Sequence, residues 1–199
     1  MARPQSQDYD KRRQSILNEA ASLIAQEGFH GSSVSDLAKR CNISKSLVYH
    51  YYSSKEEILF ATMEEYTKGL LLTVKQSAET KGELKDVFAQ TVVSLMQNYK
   101  SAGSSHRVLL QELDKLSAPH RKQIVANEDQ IKDIIKGMIA KFNPSLKLDD
   151  PQNTALTMLF LGMVNWTHTW FDPKGAISSE QLAAMAAQVF ENGVKSISG

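Results

Sequence analysis

Apolar residues recur at intervals of three and four along almost the whole chain, and no segment alternates with the two-residue period of a strand. Ile16, Leu17, Ala20, Ala21, Leu23 and Ile24 make one stripe, which stops at Gly28, a residue suited to a helix end. The pattern then shortens. Leu37 and Ala38 give the next helix its apolar side, with Ser33 as N-cap and Asp36 three residues on as a partner in the cap. Asn42 tolerates the left-handed conformation that closes a helix, Ile43 is an apolar plug for the turn, and Ser44 caps a second short helix. In that helix Leu47 or Val48, and Tyr51 or Tyr52, face inward, which leaves Lys45, Ser46, Tyr49 and His50 outside.

Longer helices follow. Ser54 caps one that carries Glu56 and Glu57 in its positive first turn and Leu59, Met63, Tyr66 and Leu70 at helical spacing, running to about Thr80. After Lys81-Gly82, Leu84, Phe88, Val92, Leu95 and Tyr99 mark a helix that breaks around residues 101–105. A shorter helix bears Val108, Leu109, Leu110, Leu113 and Leu116. Pro119 can then open a long one with Ile124, Ile131, Ile135, Met138 and Phe142, ended by Asn143-Pro144. Thr154 to Trp170 is the most apolar stretch, but Thr157, Asn165, Thr167 and His168 interrupt it and it is too short to cross a bilayer, so it reads as a buried helix. A turn at Asp172-Pro173-Lys174-Gly175 precedes a last helix, capped by Ser178 or Ser179 with Glu180 or Gln181 in its first turn. Leu182, Met185, Ala186, Val189, Phe190 and Gly193 line one side of it. The expectation is an all-α fold of about nine helices.

Two short helices, a tight turn and a polar, aromatic outer face are the layout of a helix-turn-helix that reads DNA. Lys45, Ser46, Tyr49, His50 and Tyr51 can reach bases or phosphates in a groove, and Lys55, opening the next helix, can meet phosphate. A helical adaptor would share the period and the turn but has no need of that set on one surface. Val34-Ser35-Asp36-Leu37-Ala38, Ile43-Ser44-Lys45, Val48-Tyr49-His50-Tyr51-Tyr52 and Ser54-Lys55-Glu56-Glu57-Ile58-Leu59 together resemble the N-terminal domain of the TetR family of transcriptional regulators, over roughly residues 9–60. The resemblance implies a three-helix DNA-binding domain over residues 1–55, with Ser33, Lys45, Ser46, Leu47, Tyr49, His50, Tyr51 and Lys55 at the DNA. A long helix would join it to a ligand-binding and dimerisation domain over residues 56–199. Ser46 and Leu47 stand where similar proteins differ, so the operator sequence does not carry over.

Charge supports a defined site rather than general adhesion to nucleic acid. The 199 residues carry a net charge of only +1, but residues 1–55 hold eight Lys or Arg against five acids, +3, which leaves −2 for the remainder. Met1 to Arg13 is polar and charged, so no signal peptide is expected there, and it is expected to be a flexible arm whose Arg3, Lys11, Arg12 and Arg13 either touch DNA or stay solvated. The single Cys41 excludes an intramolecular disulfide and suits a cytoplasmic protein. No residues have zinc spacing, and His30, His50, His106, His120 and His168 share no motif, so no metal, no cofactor and no catalytic residue is expected.

The C-terminal helices carry Gly162, Ala183, Ala186, Ala187 and Gly193, which permit close packing either within one chain or against a second copy. The family resemblance favours a homodimer through the last two helices, which would set two recognition helices about 34–36 Å apart or at a multiple of that spacing. Phe88, Tyr99, Leu113, Met163, Trp166 and Trp170 are material for an apolar pocket or for a core, Asn165 and His168 could orient a ligand, and Arg107, Arg121 and Lys122 could meet phosphates at a rim. Gly162 to Gly175 is similar to a segment of TetR-type regulators that sense acyl-coenzyme A thioesters. That implies an acyl-CoA as effector; and because a ligand that prefers the conformation with wrongly spaced recognition helices must weaken DNA binding, a repressor of a palindromic operator released by such a small hydrophobic effector is expected. Fatty acids, drugs, as for regulators of efflux or stress genes, and signalling lactones stay open as effectors.

Overall fold

The computed structural model describes residues 7–172 and 174–197; Arg3 of the expected arm and Pro173 of the expected turn lie outside them. The described residues form nine α-helices: α1 (Gln7–Gly31), α2 (Val34–Arg40), α3 (Lys45–Tyr51), α4 (Lys55–Ala78), α5 (Leu84–Ser101), α6 (Gly103–Glu112), α7 (Ala118–Phe142), α8 (Pro151–Trp170) and α9 (Ser179–Ser196), with a 3₁₀ turn at Leu113–Lys115. Two compact units emerge. One comprises the chain up to Thr67 together with Ser104–Val125; the other comprises Lys68–Gly103 and Ala126 onward.

The first unit is built on α1. Ile16, Leu17, Ala20 and Leu23 of that helix meet Val34, Leu37 and Ala38 of α2, Val48 of α3, Tyr52, and Ile58 and Ala61 of α4 in one buried cluster. The inward residues of α3 are thus resolved. Val48 and Tyr52 are buried, and Leu47 and Tyr51 are half-buried beside them. Ile58 and Ala61, at the start of α4, belong to this cluster. The Tyr66 hydroxyl and His106 Nδ1, 2.9 Å apart and buried, join α4 to α6 within it.

Residues 7–13 are not the flexible arm expected from their polarity. They are the first two turns of α1, where Asp8 and Asp10 favour the positive helix start, the Tyr9 ring lies 4.7 Å from that of Tyr51, and Arg13 comes within 3.7 Å of Glu65. At its other end α1 breaks at Gly28, whose φ of 73° is open to glycine at little cost.

The second unit packs α5 against α8 and α9. Phe88 of α5 has Phe142, Phe160 and Phe190 around it, with ring centroids 5.3, 5.2 and 6.1 Å away. Asn143, expected only to stop α7, has a second function. Its amide nitrogen donates to the Val194 and Ile197 carbonyls at 3.0 and 2.8 Å, satisfying acceptors left over at the end of α9. Ser178, rather than Ser179, caps α9.

Candidate nucleic-acid interface

The turn between α2 and α3 follows from four residues. Cys41 ends α2, Asn42 takes φ 51°, its N–H donates to the Lys39 carbonyl at 3.1 Å, and the Ile43 N–H reaches back to the Ala38 carbonyl at 3.0 Å. This is a Schellman ending, in which a left-handed residue lets two amides satisfy the last helical carbonyls. Ile43 plugs into the core below. The Ser44 hydroxyl then accepts the Leu47 N–H at 3.1 Å and starts α3.

Held this way, α3 turns one face to solvent. Lys45, Ser46, Tyr49 and His50 are exposed, Tyr49 by 45%, and Lys45 Nζ stands 5.8 Å from the centre of the Tyr49 ring. Lys39 and Arg40, not singled out in the sequence, are exposed at the end of α2, with the Arg40 guanidinium steadied by Gln26 Oε1 at 2.8 Å. From Leu37 to Lys55 the chain has no carboxylate and four cations, which suits a polyanionic surface. That acid-free run was the sequence signal for Lys39 and Arg40.

The other residues expected at DNA have structural engagements. The Ser33 hydroxyl accepts the Asp36 N–H at 3.1 Å and donates to the Asp36 carboxylate at 2.6 Å, a bond that holds this carboxyl below its ordinary range. Tyr51 is half-buried, with its ring against Tyr9. Leu47 is half-buried. Lys55 is engaged at the α1–α2 corner: its ammonium donates to the Phe29 and Ser32 carbonyls at 2.7 and 3.0 Å and lies 4.2 Å from the Phe29 ring centre. Nothing in the sequence could reveal this, because both acceptors are backbone atoms more than twenty residues away. Burial pushes the Tyr52 phenol up to about 12, so it stays neutral beneath α3.

The residues expected around an effector are placed less uniformly. In the second unit Phe88 and Tyr99 are buried on α5 and Met163 is half-buried on α8, but Trp166 and Trp170 are 65% and 57% exposed and His168 is exposed too. The apolar period of α8 made these three read as interior; instead its exposed residues include Met158, Leu159, Trp166 and Trp170, an apolar outer face. Arg107 is exposed and Leu113 half-buried, both in the first unit. A groove of about 370 Å³ in the second unit is lined by Asp129, Lys132, Asp133 and Lys136 of α7 and Thr154, Thr157 and Met158 of α8, more polar than the expected apolar pocket. Sequence reading also passed over Glu128, a half-buried carboxyl on α7 that desolvation raises above its ordinary range and whose charge helps to raise the buried Tyr99 phenol.

A capped pair of short helices presenting a cationic, aromatic face over a small helical core defines a helix-turn-helix protein. Residues 16–62 match the profile of the bacterial regulatory proteins of the tetR family and residues 81–194 that of the tetracyclin repressor-like C-terminal domain; the chain belongs to the TetR family of transcriptional regulators. Its relatives are regulators of transcription rather than enzymes.

Among solved structures, a TetR-family transcriptional regulator from Bordetella parapertussis is 31% identical, with a TM-score of 0.86 over 92% of this chain and 95% of that one. AibR in complex with isovaleryl coenzyme A and operator DNA is 25% identical, with a TM-score of 0.78 over 90% of this chain and 98% of that one. Among characterised sequences, the transcriptional activator FasR of Mycolicibacterium smegmatis is 24% identical over 110 residues, 55% of this chain and 50% of the relative, so the match spans half of that protein's length. None of the described helices is long and apolar enough to cross a membrane.

Proposed function

We propose that this chain is a ligand-responsive repressor that binds a palindromic operator as a homodimer and leaves it when a small hydrophobic effector, such as an acyl-CoA, binds. The observation that carries the DNA-binding part is the outward face of α3, where Lys45, Ser46, Tyr49 and His50 stand clear of the core on a helix capped and locked at both ends. Lys45 supplies charge for phosphate, while Ser46, Tyr49 and His50 supply hydrogen-bonding and apolar edges for bases. Lys39 and Arg40 extend the cationic surface. Dimerisation through α8 and α9 is supported by the exposed Leu159, Trp166 and Trp170 of one helix and Met185 and Val189 of the other. The acyl-CoA reading is supported by the likeness to AibR, whose solved complex holds isovaleryl coenzyme A, and by the apolar interior around Phe88. The protein acts in the cytoplasm.

Repression and release are tested together by an electrophoretic shift assay on the DNA upstream of the chain's own gene, with and without a series of acyl-CoA thioesters. The wild type shifts the fragment, and a thioester that binds the protein weakens the shift by about 5- to 150-fold, the range of ordinary allosteric coupling. Replacing Tyr49 and His50 together by Ala abolishes specific binding while circular dichroism and dimer mass are unchanged. Specific binding that survives this double substitution rules out α3 as the reader. A thioester that binds yet leaves the shift untouched rules out release.

A further inference from the structure

The corner between α1 and α2 is clasped from two sides by charged groups of opposite sign. Gly28 has ψ 163°, which turns the Phe29 N–H away from the direction it would take in a continuing helix. Glu112 Oε1, at the end of α6, accepts that N–H at 3.1 Å. On the far side of the same residue the Phe29 carbonyl accepts Lys55 Nζ at 2.7 Å and the Ser32 hydroxyl at 2.9 Å, while the Ser32 carbonyl accepts Lys55 Nζ at 3.0 Å. The Ser32 N–H closes the loop onto the Gly28 carbonyl at 3.2 Å. A Cβ on Gly28 would lie 3.5 Å from Glu112 Oε1, so the carboxylate sits directly over the kink. α2 begins at Val34, two residues past Ser32, and carries α3 with it through the Asn42 turn.

We infer that Glu112 and Lys55 are positioning residues for DNA binding: carboxylate and ammonium hold the Phe29 corner and thereby set the angle at which α2 and α3 are presented. The inference rests on the proposed DNA-binding function. Exposed ion pairs contribute little to stability. This contact differs in kind, because a carboxylate caps a backbone N–H in a partly buried corner, and such charge-assisted bonds are both stronger and directional. Glu112 also lies outside the residues matched to the DNA-binding profile and inside those matched to the C-terminal one. A side chain of that C-terminal segment therefore reaches the α1–α2 corner, and any displacement of the end of α6 is felt at Phe29. Lys55 acts through the same corner.

The test uses the full-length protein and a duplex that the wild type enriches from sheared genomic DNA. Glu112→Ala lowers affinity for that duplex about tenfold, as expected for loss of a hydrogen bond to a charged group, and leaves the slope of affinity against salt unchanged because no phosphate contact is removed. Hydrogen exchange at the Phe29 amide accelerates by a similar factor, while amides of α5 and α9 keep their protection. Glu112→Gln, which retains the acceptor oxygen, restores affinity to within about threefold. Glu112→Leu, close in volume but without an acceptor, repeats the alanine result should Glu112→Ala fold poorly. Wild-type affinity in both Glu112→Ala and Glu112→Leu overturns the inference while DNA binding stands, as does a Phe29 amide that exchanges no faster than before. A wild-type chain that enriches no duplex overturns the DNA-binding function, and the inference with it.

Discussion

Glu128 is a carboxyl whose environment disfavours its charge. Desolvation raises it above the ordinary glutamate value, partly countered by Lys132 and reinforced by Asp129. The folded state therefore holds the proton more tightly than the unfolded chain, so this group costs stability as pH rises through its folded pKa and the cost vanishes below the unfolded one. Glu128→Gln accordingly melts at a higher temperature than the wild type at pH 7, and the difference closes by about pH 4, where the unfolded carboxyl is itself protonated. A gap of equal size at both pH values would show that burial of charge is not its cause. The residue was not legible in the sequence: between Asn127 and Asp129 it looks like any acid on a solvated helix face, and only the packing around it makes it unusual.

Among the helices, ends were easier to read than faces. Caps are local, since the side chain and the amide it serves lie within three residues, and so Ser33 with Asp36, Ser44 and the Asn42 turn appear where their spacing put them. The start of α9 is a capping box, with the Gln181 N–H on the Ser178 hydroxyl at 3.1 Å and the Ser178 N–H on Gln181 Oε1 at 2.8 Å. Ser178→Ala removes one of these bonds, costs about 1 kcal/mol and lowers the thermal midpoint by roughly 2–4 °C; an unchanged midpoint would mean that α9 needs no cap. The face of α8 was harder. Its apolar residues cover most of its circumference, so hydropathy alone could not tell Phe160, which is fully buried, from Leu159, which is 67% exposed.

For the molecule as a whole, that exposed apolar surface is the most consequential feature after α3. A single chain leaves Met158, Leu159, Trp166 and Trp170 of α8 and Met185 and Val189 of α9 in contact with water, more clustered large apolar side chains than a soluble monomer usually displays. Two-fold pairing of this surface would both cover it and duplicate α3. Leu159→Glu combined with Val189→Glu should sediment as a monomer with unchanged helix content and lose high-affinity operator binding; a dimer that survives the pair of charges must use another face.

The residues by themselves determined the helical class, a count of about nine helices, the caps at Ser33 and Ser44 with the turn at Asn42, and the outward placing of Lys45, Ser46, Tyr49 and His50, because each depends on neighbours within one or two turns. Tertiary structure alone decided that residues 7–13 join α1, that Trp166 and Trp170 are exposed, that Lys55 turns toward the α1–α2 corner, and that Glu112 reaches Phe29 across 83 residues of chain. The division has one cause. A helix is written in interactions between residues three and four apart, which a linear pattern preserves, whereas the destination of a long charged side chain depends on which backbone atoms folding brings within 3 Å of it, and no periodicity encodes that.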